Sequence, residues 1–460
     1  MTHKAFVKIL LAAGSIFAVV ASVGSANAAG FSNRQQSATG QGFSFAGAGT
    51  STFGLGSMFW NPANITNFEG RRNEWNFTLI NPNTSVTTDR FTNGAGTANL
   101  LGAPANFPAN GSGNINQGTF TTASYSSYQL NNMVWLGLQT GAPFGSRTKA
   151  DAGFTGSPYG SSTIVRGTAI TPTIGIKATD WLAFGLGVTV QQLNVTLNSG
   201  SGGLPQLAGV PQVRIKGDSY GIGFTAGATI KPADGTEISL GYRSSIKHSL
   251  EGEFDVATSG GNLISSRLVK VNVNLPEIAT LGISQRINNQ WTVTGTAQWT
   301  NWSRITNAPV VNRVTGAPIT GLGFRYKDEW FLALGAQYQV NDAWKLRAGV
   351  AYEISPISDE TRSVRVLDNN RIWLSLGAGY KWSEKLEFDL GYSHIFIKSG
   401  KVDIVPAGSP LNPVGNPSFP APGGFQFNGR SKGSVDIVSF SLKYRWDDPQ
   451  VSTAPIVKKF

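Results

Sequence analysis

The chain has 460 residues, no cysteine and a formal net charge of +11, yet only 14% of its residues are charged. The lack of cysteine excludes thiolate catalysis and cysteine-based metal sites. An aromatic content of 11% argues against a disordered chain, and no run of Lys and Arg is dense enough to predict a nucleic-acid partner.

The first 28 residues have the pattern of a secretory signal peptide. Lys4 and Lys8 give a basic start, an apolar run extends from Ile9 to Val20, and Ala26-Asn27-Ala28 is a small-residue cleavage site. The apolar run is too short to cross a bilayer as a helix. We therefore predict an exported protein, with a signal peptide over 1–28 and a mature chain that starts at Ala29.

Residues 29–70 do not alternate regularly between apolar and polar side chains. The segment is rich in Gly and Ala, and its aromatic residues include Phe31, Phe43, Phe45, Phe53, Phe59 and Trp60. Disordered segments usually lack aromatic residues, so we favour a compact plug, or hatch, over a disordered arm. Within the hatch, Asn61-Pro62-Ala63 follows an apolar triplet, and the proline requires a turn or an extended chain.

From about residue 73 the sequence repeats an alternation of apolar and polar residues, separated by turns. One such apolar face consists of Trp330, Leu332, Leu334, Ala336, Tyr338 and Val340. A period of two indicates strands with one apolar face. Aromatic residues end these faces and small or polar residues fill the opposite ones, which favours lipid outside and a plugged lumen inside. Backbone groups in hydrocarbon must be paired, so the strands must close into a barrel.

Short turns alternate with long connections, as outer-membrane barrels require. We count fourteen strands, the third over 133–142 and the last over 434–446. The fold class is therefore all-β, a transmembrane antiparallel β-barrel over 71–446 that is plugged by the N-terminal hatch. Residues 447–460 form a C-terminal tail. Either Trp446 closes the barrel and the tail hangs in the periplasm, or Phe460 helps assembly.

Several short stretches occur in an order and at a spacing that point to one family. They include Ala29-Gly30-Phe31, Asn61-Pro62-Ala63, Leu275-Pro276-Glu277, Trp299-Thr300-Asn301-Trp302-Ser303 and Lys327-Asp328-Glu329-Trp330. On these stretches the chain resembles the outer-membrane long-chain fatty acid transporters, the FadL-type proteins and their aromatic-hydrocarbon relatives. The likeness extends over nearly the whole mature chain.

The resemblance implies passive uptake of hydrophobic molecules across the Gram-negative outer membrane, with lateral release through a gap in the barrel wall. In that family an inward kink of the third strand opens the gap, and Asn61-Pro62-Ala63 would pack into it. We expect the gap along 137–145, with Gly141 and Pro143 at its edge. The loop 198–211 is short and Gly-rich where fatty-acid members carry a longer helical loop. The cargo therefore stays open between long-chain fatty acids and monoaromatic hydrocarbons.

A hydrophobic ligand needs an apolar pocket, and a carboxylate head would need a basic partner. The predicted pocket-lining residues are Phe31, Phe43, Phe45 and Phe59, and the alternative for them is packing within the plug. By strand alternation Arg243 and Lys247 point into the lumen and are the predicted ligand-binding cations. Their alternative is a salt-bridge network with Glu251 or other acids.

No catalytic residue, cofactor or metal ligand is predicted. Strand parity places His248 and His394 on the apolar outer face. Ser393 beside His394 raises a lipid hydrolase as an alternative, but adjacent strand residues point to opposite faces and cannot form a nucleophile–base pair. The expected partners are a hydrophobic small molecule, outer-membrane lipid and lipopolysaccharide, and the barrel assembly machinery, with the protein itself a monomer.

Overall fold

The computed structural model describes residues 30–93, 113–115, 117–204, 207–404 and 425–447. The predicted signal peptide lies outside these residues, as does the tail from residue 448 onward. Among the described residues, no helix has both the length and the apolar character needed to cross a membrane.

Residues 30–70 form the hatch, a chain of short turns and helices that lies inside the barrel. A single α-helical turn, α1 (Ala38–Gln41), is capped by Ser37, whose Oγ accepts from the Gly40 N–H. Two 3₁₀ segments follow, Ser51–Phe59 and Pro62–Asn67. Pro62 occupies the first helical position, where a missing N–H breaks no helical hydrogen bond.

Nineteen strands form one antiparallel sheet within the described residues. In chain order they are β1 Arg71–Asn93, β2 Gly113–Asn114, β3 Thr119–Gln129, β4 Val134–Lys149, β5 Ser162–Lys177, β6 Leu182–Ser199, β7 Gln212–Ala233, β8 Thr236–Arg243, β9 Ile246–Ala257, β10 Leu263–Leu275, β11 Ile278–Arg286, β12 Trp291–Thr300, β13 Asn307–Asn312, β14 Pro318–Gly323, β15 Glu329–Gln339, β16 Trp344–Ile354, β17 Arg371–Lys381, β18 Leu386–Ile404 and β19 Phe425–Arg445.

Fourteen wall strands remain once the broken strands are joined and the loop strands set aside. β8 continues into β9 across Ser244 and Ser245, and β10 continues into β11 across Pro276 and Glu277. β13 and β14 form a hairpin within a long connection, and β2 is a two-residue strand. β1 pairs with both β19 and β3, which closes the barrel. The predicted count of fourteen is confirmed.

The outer surface of the wall is an apolar band. Leu186, Leu334 and Leu376 are more than half exposed there, at 59%, 68% and 65%. At the short-turn end, aromatic pairs form a girdle: Trp291–Tyr338, Trp344–Tyr380 and Tyr444–Trp446, with ring centroids 4.9, 4.5 and 4.7 Å apart. Such a band with an aromatic girdle fits a bilayer, and the short turns mark the periplasmic side.

The direction of side chains changes at the junction of β8 and β9, which corrects two sequence predictions. Opposite β7, the stretch that contains Ser244 and Ser245 holds one residue more than its partner, so inward positions shift from odd to even numbers. Arg243 points inward as predicted, but Lys247 is exposed on the outside, so its predicted place in the lumen is wrong. His248 is buried inside, bonded to Ser219 and Gln191, not on the apolar outer face.

Candidate functional site

An apolar cavity occupies the half of the lumen that faces the long connections. It measures about 1120 Å³ including its open mouth. Its wall is built by residues of six wall strands, which are β4, β5, β6, β7, β9 and β10, and by residues of the connections above. They include Ser146, Val165, Leu193, Leu197, Ile215, Leu250, Val269, Val271, Phe324, Tyr326 and Val366. We call this space the outer cavity.

The outer cavity arises because the apolar face of the strands switches sides along their length. In β6, Leu186 and Val190 point outward with small or polar neighbours inside, whereas Leu193 and Leu197 point inward. The switch falls at Gln191 and Gln192, without a break in the strand. Below it the strand presents its apolar face to lipid, and above it the same strand lines the cavity. This change of phase is the sequence signal that would have located the cavity.

Arg365 lies at the edge of the outer cavity, in the connection between β16 and β17. Its Nη1 donates to the Ser162 carbonyl and its Nη2 to the Asn198 carbonyl, both at 2.8 Å. Burial lowers the pKa of the Arg365 guanidinium from 12.5 to about 9, so the group stays positively charged at neutral pH. Sequence reasoning missed this residue, although a single charge in Val364-Arg365-Val366-Leu367 stands out.

Phe31 forms part of the floor of the outer cavity, and two further aromatic rings support it. Phe31 of the hatch lies between Trp302, with ring centroids 4.8 Å apart, and Phe144 of β4, at 6.2 Å. The Trp302 indole N–H donates to Glu329 at 2.7 Å, which holds the ring in place. Of the phenylalanines predicted to line a pocket, Phe31 is the one that borders this cavity.

The barrel wall has an opening between β3 and β4. Their pairing ends at Ser124 and Thr140, and β4 then continues to Lys149 paired only with β5 and interrupted by a bulge after Gly141. Above the opening, Ile115 closes the wall: its N–H donates to Thr84 and its carbonyl accepts from the Lys149 N–H. The opening is therefore a window whose β4 edge runs from 141 to 148. The expected range 137–145 began too early, because residues 137–140 are paired.

The first described residues of the hatch fill this window from inside. The Asn33 N–H donates to the Pro143 carbonyl at 2.8 Å, and the Gly145 N–H donates to the Phe31 carbonyl at 2.7 Å. Asn33 and Gln36 donate their side-chain amides to the Ala142 carbonyl, at 2.9 and 3.1 Å. Residues 30–36, here called the latch, thus supply partners to the edge that β3 leaves bare.

Arg34 ties the latch to the opposite wall. Its Nη2 donates to Glu329 at 2.8 Å and lies 3.7 Å from Glu353, and the guanidinium also donates to Gln298 and stacks 3.8 Å over Phe331. Both carboxylates are fully buried. At the latch's start, the Gly30 N–H donates to Asp368 at 3.0 Å. The latch is therefore held by charged groups at two points.

The Asn61-Pro62-Ala63 tripeptide does not pack into the window, so that expectation is wrong. The Asn61 side-chain amide donates to the Ala228 carbonyl, Thr229 and Ser239, at 3.0, 2.9 and 2.9 Å, which places it on β7 and β8. Gly241 leaves room for it: a Cβ there would overlap the Trp60 carbonyl oxygen. Residues 60–63, here called the anchor, rest on wall that is complete, while the latch occupies the window.

The other predicted site residues fall into two groups. Phe43 and Phe45 are fully buried in the hatch core, packed with Phe53, so packing within the plug describes them. Phe59 instead borders a small pocket, where the Arg243 guanidinium lies 4.3 Å over its ring.

Arg243 also fixes the backbone of the hatch, since its Nη1 donates to the Phe59 carbonyl at 3.0 Å. Gly141 and Pro143 border the same small pocket. The structure therefore brings together four of the predicted residues at the inner side of the window.

Ser393 and His394 point to opposite sides of the wall. Ser393 is buried inside, where its hydroxyl contacts Ser375 at 2.5 Å and the Gln41 side-chain amide. His394 faces outward and pairs with Asp436 at 2.8 Å. The two side chains cannot act together on one substrate.

The family model for the outer membrane protein transport proteins (OMPP1/FadL/TodX) matches residues 18–446. The Long-chain fatty acid transport protein of Escherichia coli is 24% identical over 405 residues, which cover 80% of this chain and 86% of that protein. Outer membrane protein P1 of Haemophilus influenzae is 24% identical over 434 residues, covering 87% and 91%.

Two solved structures share the fold. A Pseudomonas aeruginosa FadL homologue has a TM-score of 0.80 at 23% identity and covers 91% of this chain and 100% of its own. The Pseudomonas putida toluene transporter TodX has a TM-score of 0.64 at 16% identity, covering 90% and 99%. With its closed barrel and apolar outer band, the protein lies in the Gram-negative outer membrane, and the chain belongs to the FadL-type family of outer membrane transport proteins.

Proposed function

We propose that this protein takes up long-chain fatty acids, which enter the outer cavity from the cell surface and leave sideways through the window into the membrane. The observation that carries the proposal is the outer cavity itself. It is walled by apolar side chains, has Arg365 at its edge, and shares Phe31 with the latch that fills the window.

The lining of the outer cavity suits an acyl chain. Most of its wall is formed by Leu, Val, Ile and Phe side chains, as in other pockets that bind apolar ligands. Each CH₂ buried against apolar walls stabilises the complex by about 0.8 kcal/mol. A long acyl chain therefore gains enough to leave the polar cell surface without an energy source.

The charge of Arg365 favours a fatty acid as the cargo over an uncharged hydrocarbon. Its guanidinium carries a positive charge in a desolvated setting, as its lowered pKa indicates. A carboxylate beside it would offset that desolvation and add a charge-assisted hydrogen bond. Toluene and other monoaromatic hydrocarbons would fill the apolar part and gain nothing from the charge. They are the alternative cargo that the test must separate.

Lateral release follows from the position of the latch. Phe31 is part of the cavity floor, and its carbonyl accepts from Gly145 at the window edge. Displacing the latch would therefore join the outer cavity to the lipid in one step. Lipid hydrolysis has no comparable support, because Ser393 and His394 face opposite sides of the barrel wall. We therefore propose that the protein has no enzymatic activity.

Uptake of labelled oleate and labelled toluene tests the cargo in Gram-negative cells that lack their own fatty acid transporter. We expect the protein to speed oleate entry, and Arg365→Gln to slow it by roughly tenfold while toluene entry is unchanged. Arg365→Lys, which keeps the charge, should recover part of the rate. Arg304→Gln is the matched control, since the Arg304 side chain is 42% exposed and does not line the outer cavity. Oleate entry no faster than in cells without the protein would refute the proposal.

A disulfide across the window tests the route. Ser32 and Phe144 face each other in an antiparallel bridge, a geometry that accepts a disulfide, and the chain has no cysteine of its own. Oxidised Ser32→Cys/Phe144→Cys should pass almost no oleate, and a reductant should restore entry. Thr78→Cys/Ser439→Cys, which joins the paired strands β1 and β19, is the control. Undiminished uptake with the disulfide closed would mean that cargo leaves elsewhere.

A further inference from the structure

Three positively charged residues stand on the outer surface beside the window. On β4, Phe144 packs on the cavity floor and Ser146 lines the cavity, so Arg147 and Lys149 point outward. On β5, Val165 lines the cavity, so Arg166 points outward next to them. Gly145 is opposite Arg166 in the strand register. Arg147 is therefore the diagonal neighbour of Arg166, at a distance of about 7–8 Å.

The strands around this cluster carry no acidic side chain, and the nearest acid along the chain is Asp151, in the connection after β4. The sequences of β3, β4, β5 and β6 contain no Asp or Glu. The Nε of Arg166 is buried and has no hydrogen-bond partner in the part of the chain that the structure describes.

Two exposed arginines elsewhere on the rim have carboxylate partners. Arg214 contacts Asp255 at 2.7 Å, and Arg430 contacts Asp89 at 2.8 Å. Beside the window, by contrast, the strands around Arg147, Lys149 and Arg166 offer no carboxylate to pair with.

The cluster lies at the height of the outer-leaflet head groups. Ile176 marks the short-turn end of β5, and Arg166 is ten residues further along (176 − 166 = 10). At about 3.3 Å per residue and a tilt near 40°, ten residues rise about 25 Å, which is the height of the apolar band of such barrels. Between them, Ile170 and Ile174 are exposed on the same surface, at 41% and 39%.

We propose that Arg147, Lys149 and Arg166 bind the phosphate groups of one lipopolysaccharide molecule beside the window. Arginine guanidinium groups match phosphate oxygens in pairs, and Lys149 adds a point charge. The acyl chains of the same molecule then lie on Ile170 and Ile174 directly below. Phosphates above acyl chains on the outer leaflet are the chemistry that this combination of charge and apolar surface fits.

Native mass spectrometry of the purified full-length protein tests this site. Delipidated protein in detergent is titrated with bis-phosphorylated lipid A and, in parallel, with lipid A whose phosphates have been removed. We expect the phosphorylated form to bind roughly tenfold more tightly or better. The variant Arg147→Gln/Lys149→Gln/Arg166→Gln should lose that preference and bind both forms alike.

The matched control removes the same number of charges from another part of the rim. Lys398→Gln/Lys401→Gln/Lys432→Gln changes three exposed lysines of β18 and β19 and should keep the full preference. If the triple variant of the cluster fails to fold, the single variants Arg147→Gln and Arg166→Gln should each reduce the preference for phosphorylated lipid A by roughly threefold. An unchanged preference in the cluster variants, or an equal loss in the control, would overturn the proposal.

Discussion

The latch and the anchor belong to the same hatch, but they meet the barrel wall in different ways. The anchor lies on β7 and β8, where every strand has its neighbours, and it is held by neutral hydrogen bonds from Asn61. The latch lies where β4 has lost β3, and its backbone completes the wall. The anchor thus packs on wall strands that are already paired, whereas the latch supplies hydrogen-bond partners to the unpaired edge of β4.

This difference separates a fixed part from a movable one. Moving the anchor would leave a buried amide and several hydroxyls without partners, which is costly. Moving the latch exposes a strand edge and two carboxylates that water or cargo can then reach. Variants that break one contact at a time show whether the latch, the anchor or both become mobile.

The largest effect is expected from Arg34→Met. It leaves Glu329 and Glu353 buried without their cation, and breaking such a pair costs about 3–5 kcal/mol. When the latch leaves the window, water reaches both carboxylates and stabilises them. In Arg34→Met the latch should therefore leave the window far more often. A single cysteine at Ser32 reports this: its labelling by a maleimide should speed up roughly 100-fold, as about 3 kcal/mol implies.

The control for Arg34 is again Arg304→Gln, whose ion pair with Glu277 is partly exposed and contributes about 0–1 kcal/mol. Labelling of Ser32→Cys should barely change there. A cysteine at Ser57, next to the anchor, should stay unreactive in both backgrounds. Equal labelling of positions 32 and 57 in Arg34→Met would show that the hatch loosens as a whole.

A smaller effect, of about 3 kcal/mol, is expected from Gly241→Ala. The added Cβ would overlap the Trp60 carbonyl oxygen, and a backbone atom inside a packed plug cannot swing aside as a side chain can. The temperature at which the barrel unfolds in SDS, read from its gel mobility, should fall. Gly321→Ala is the control, because a Cβ there meets nothing within 4 Å. Equal unfolding temperatures would mean that the anchor has more room than its contacts indicate.

The barrel was predictable from sequence because its determinants are local. Alternation in each strand reports the lipid face, and Asn341-Asp342 and similar pairs mark the short turns, so the fourteen strands were found. The lengths were not: β19 begins at Phe425 and the predicted last strand at 434, because Gly429-Arg430-Ser431-Lys432-Gly433 shows no apolar alternation. The prediction for Lys247 is wrong because nothing in the pattern marks the one extra residue near Ser244 and Ser245.

The candidate site was only partly predictable because its parts meet across the chain. Phe31 and Trp302 are 271 positions apart (302 − 31 = 271), and nothing local predicts that their rings touch. The predicted link between Asn61 and the window failed for the same reason. Arg243 and Phe59 were both singled out, each for its own chemistry, and only the folded barrel places one over the other.

The smallest effect, about 2 kcal/mol, is expected from Asn61→Ala. The variant removes the buried hydrogen bonds that the Asn61 amide donates to the Ala228 carbonyl, Thr229 and Ser239, and the loss of buried hydrogen bonds costs about 1–3 kcal/mol. The hydroxyls of Thr229 and Ser239 can turn toward other acceptors, so the loss stays in the middle of that range. The unfolding temperature in SDS should fall slightly, and exposed Asn83→Ala should leave it unchanged.

The informative result for Asn61→Ala is the labelling of a cysteine at Ser32. If the anchor and the latch are independent, labelling stays slow although the barrel is less stable. If labelling speeds up together with the loss of stability, strain at the anchor reaches the window through the hatch. The hatch would then open as one body. The latch and the anchor would differ in their contacts with the wall but would move together.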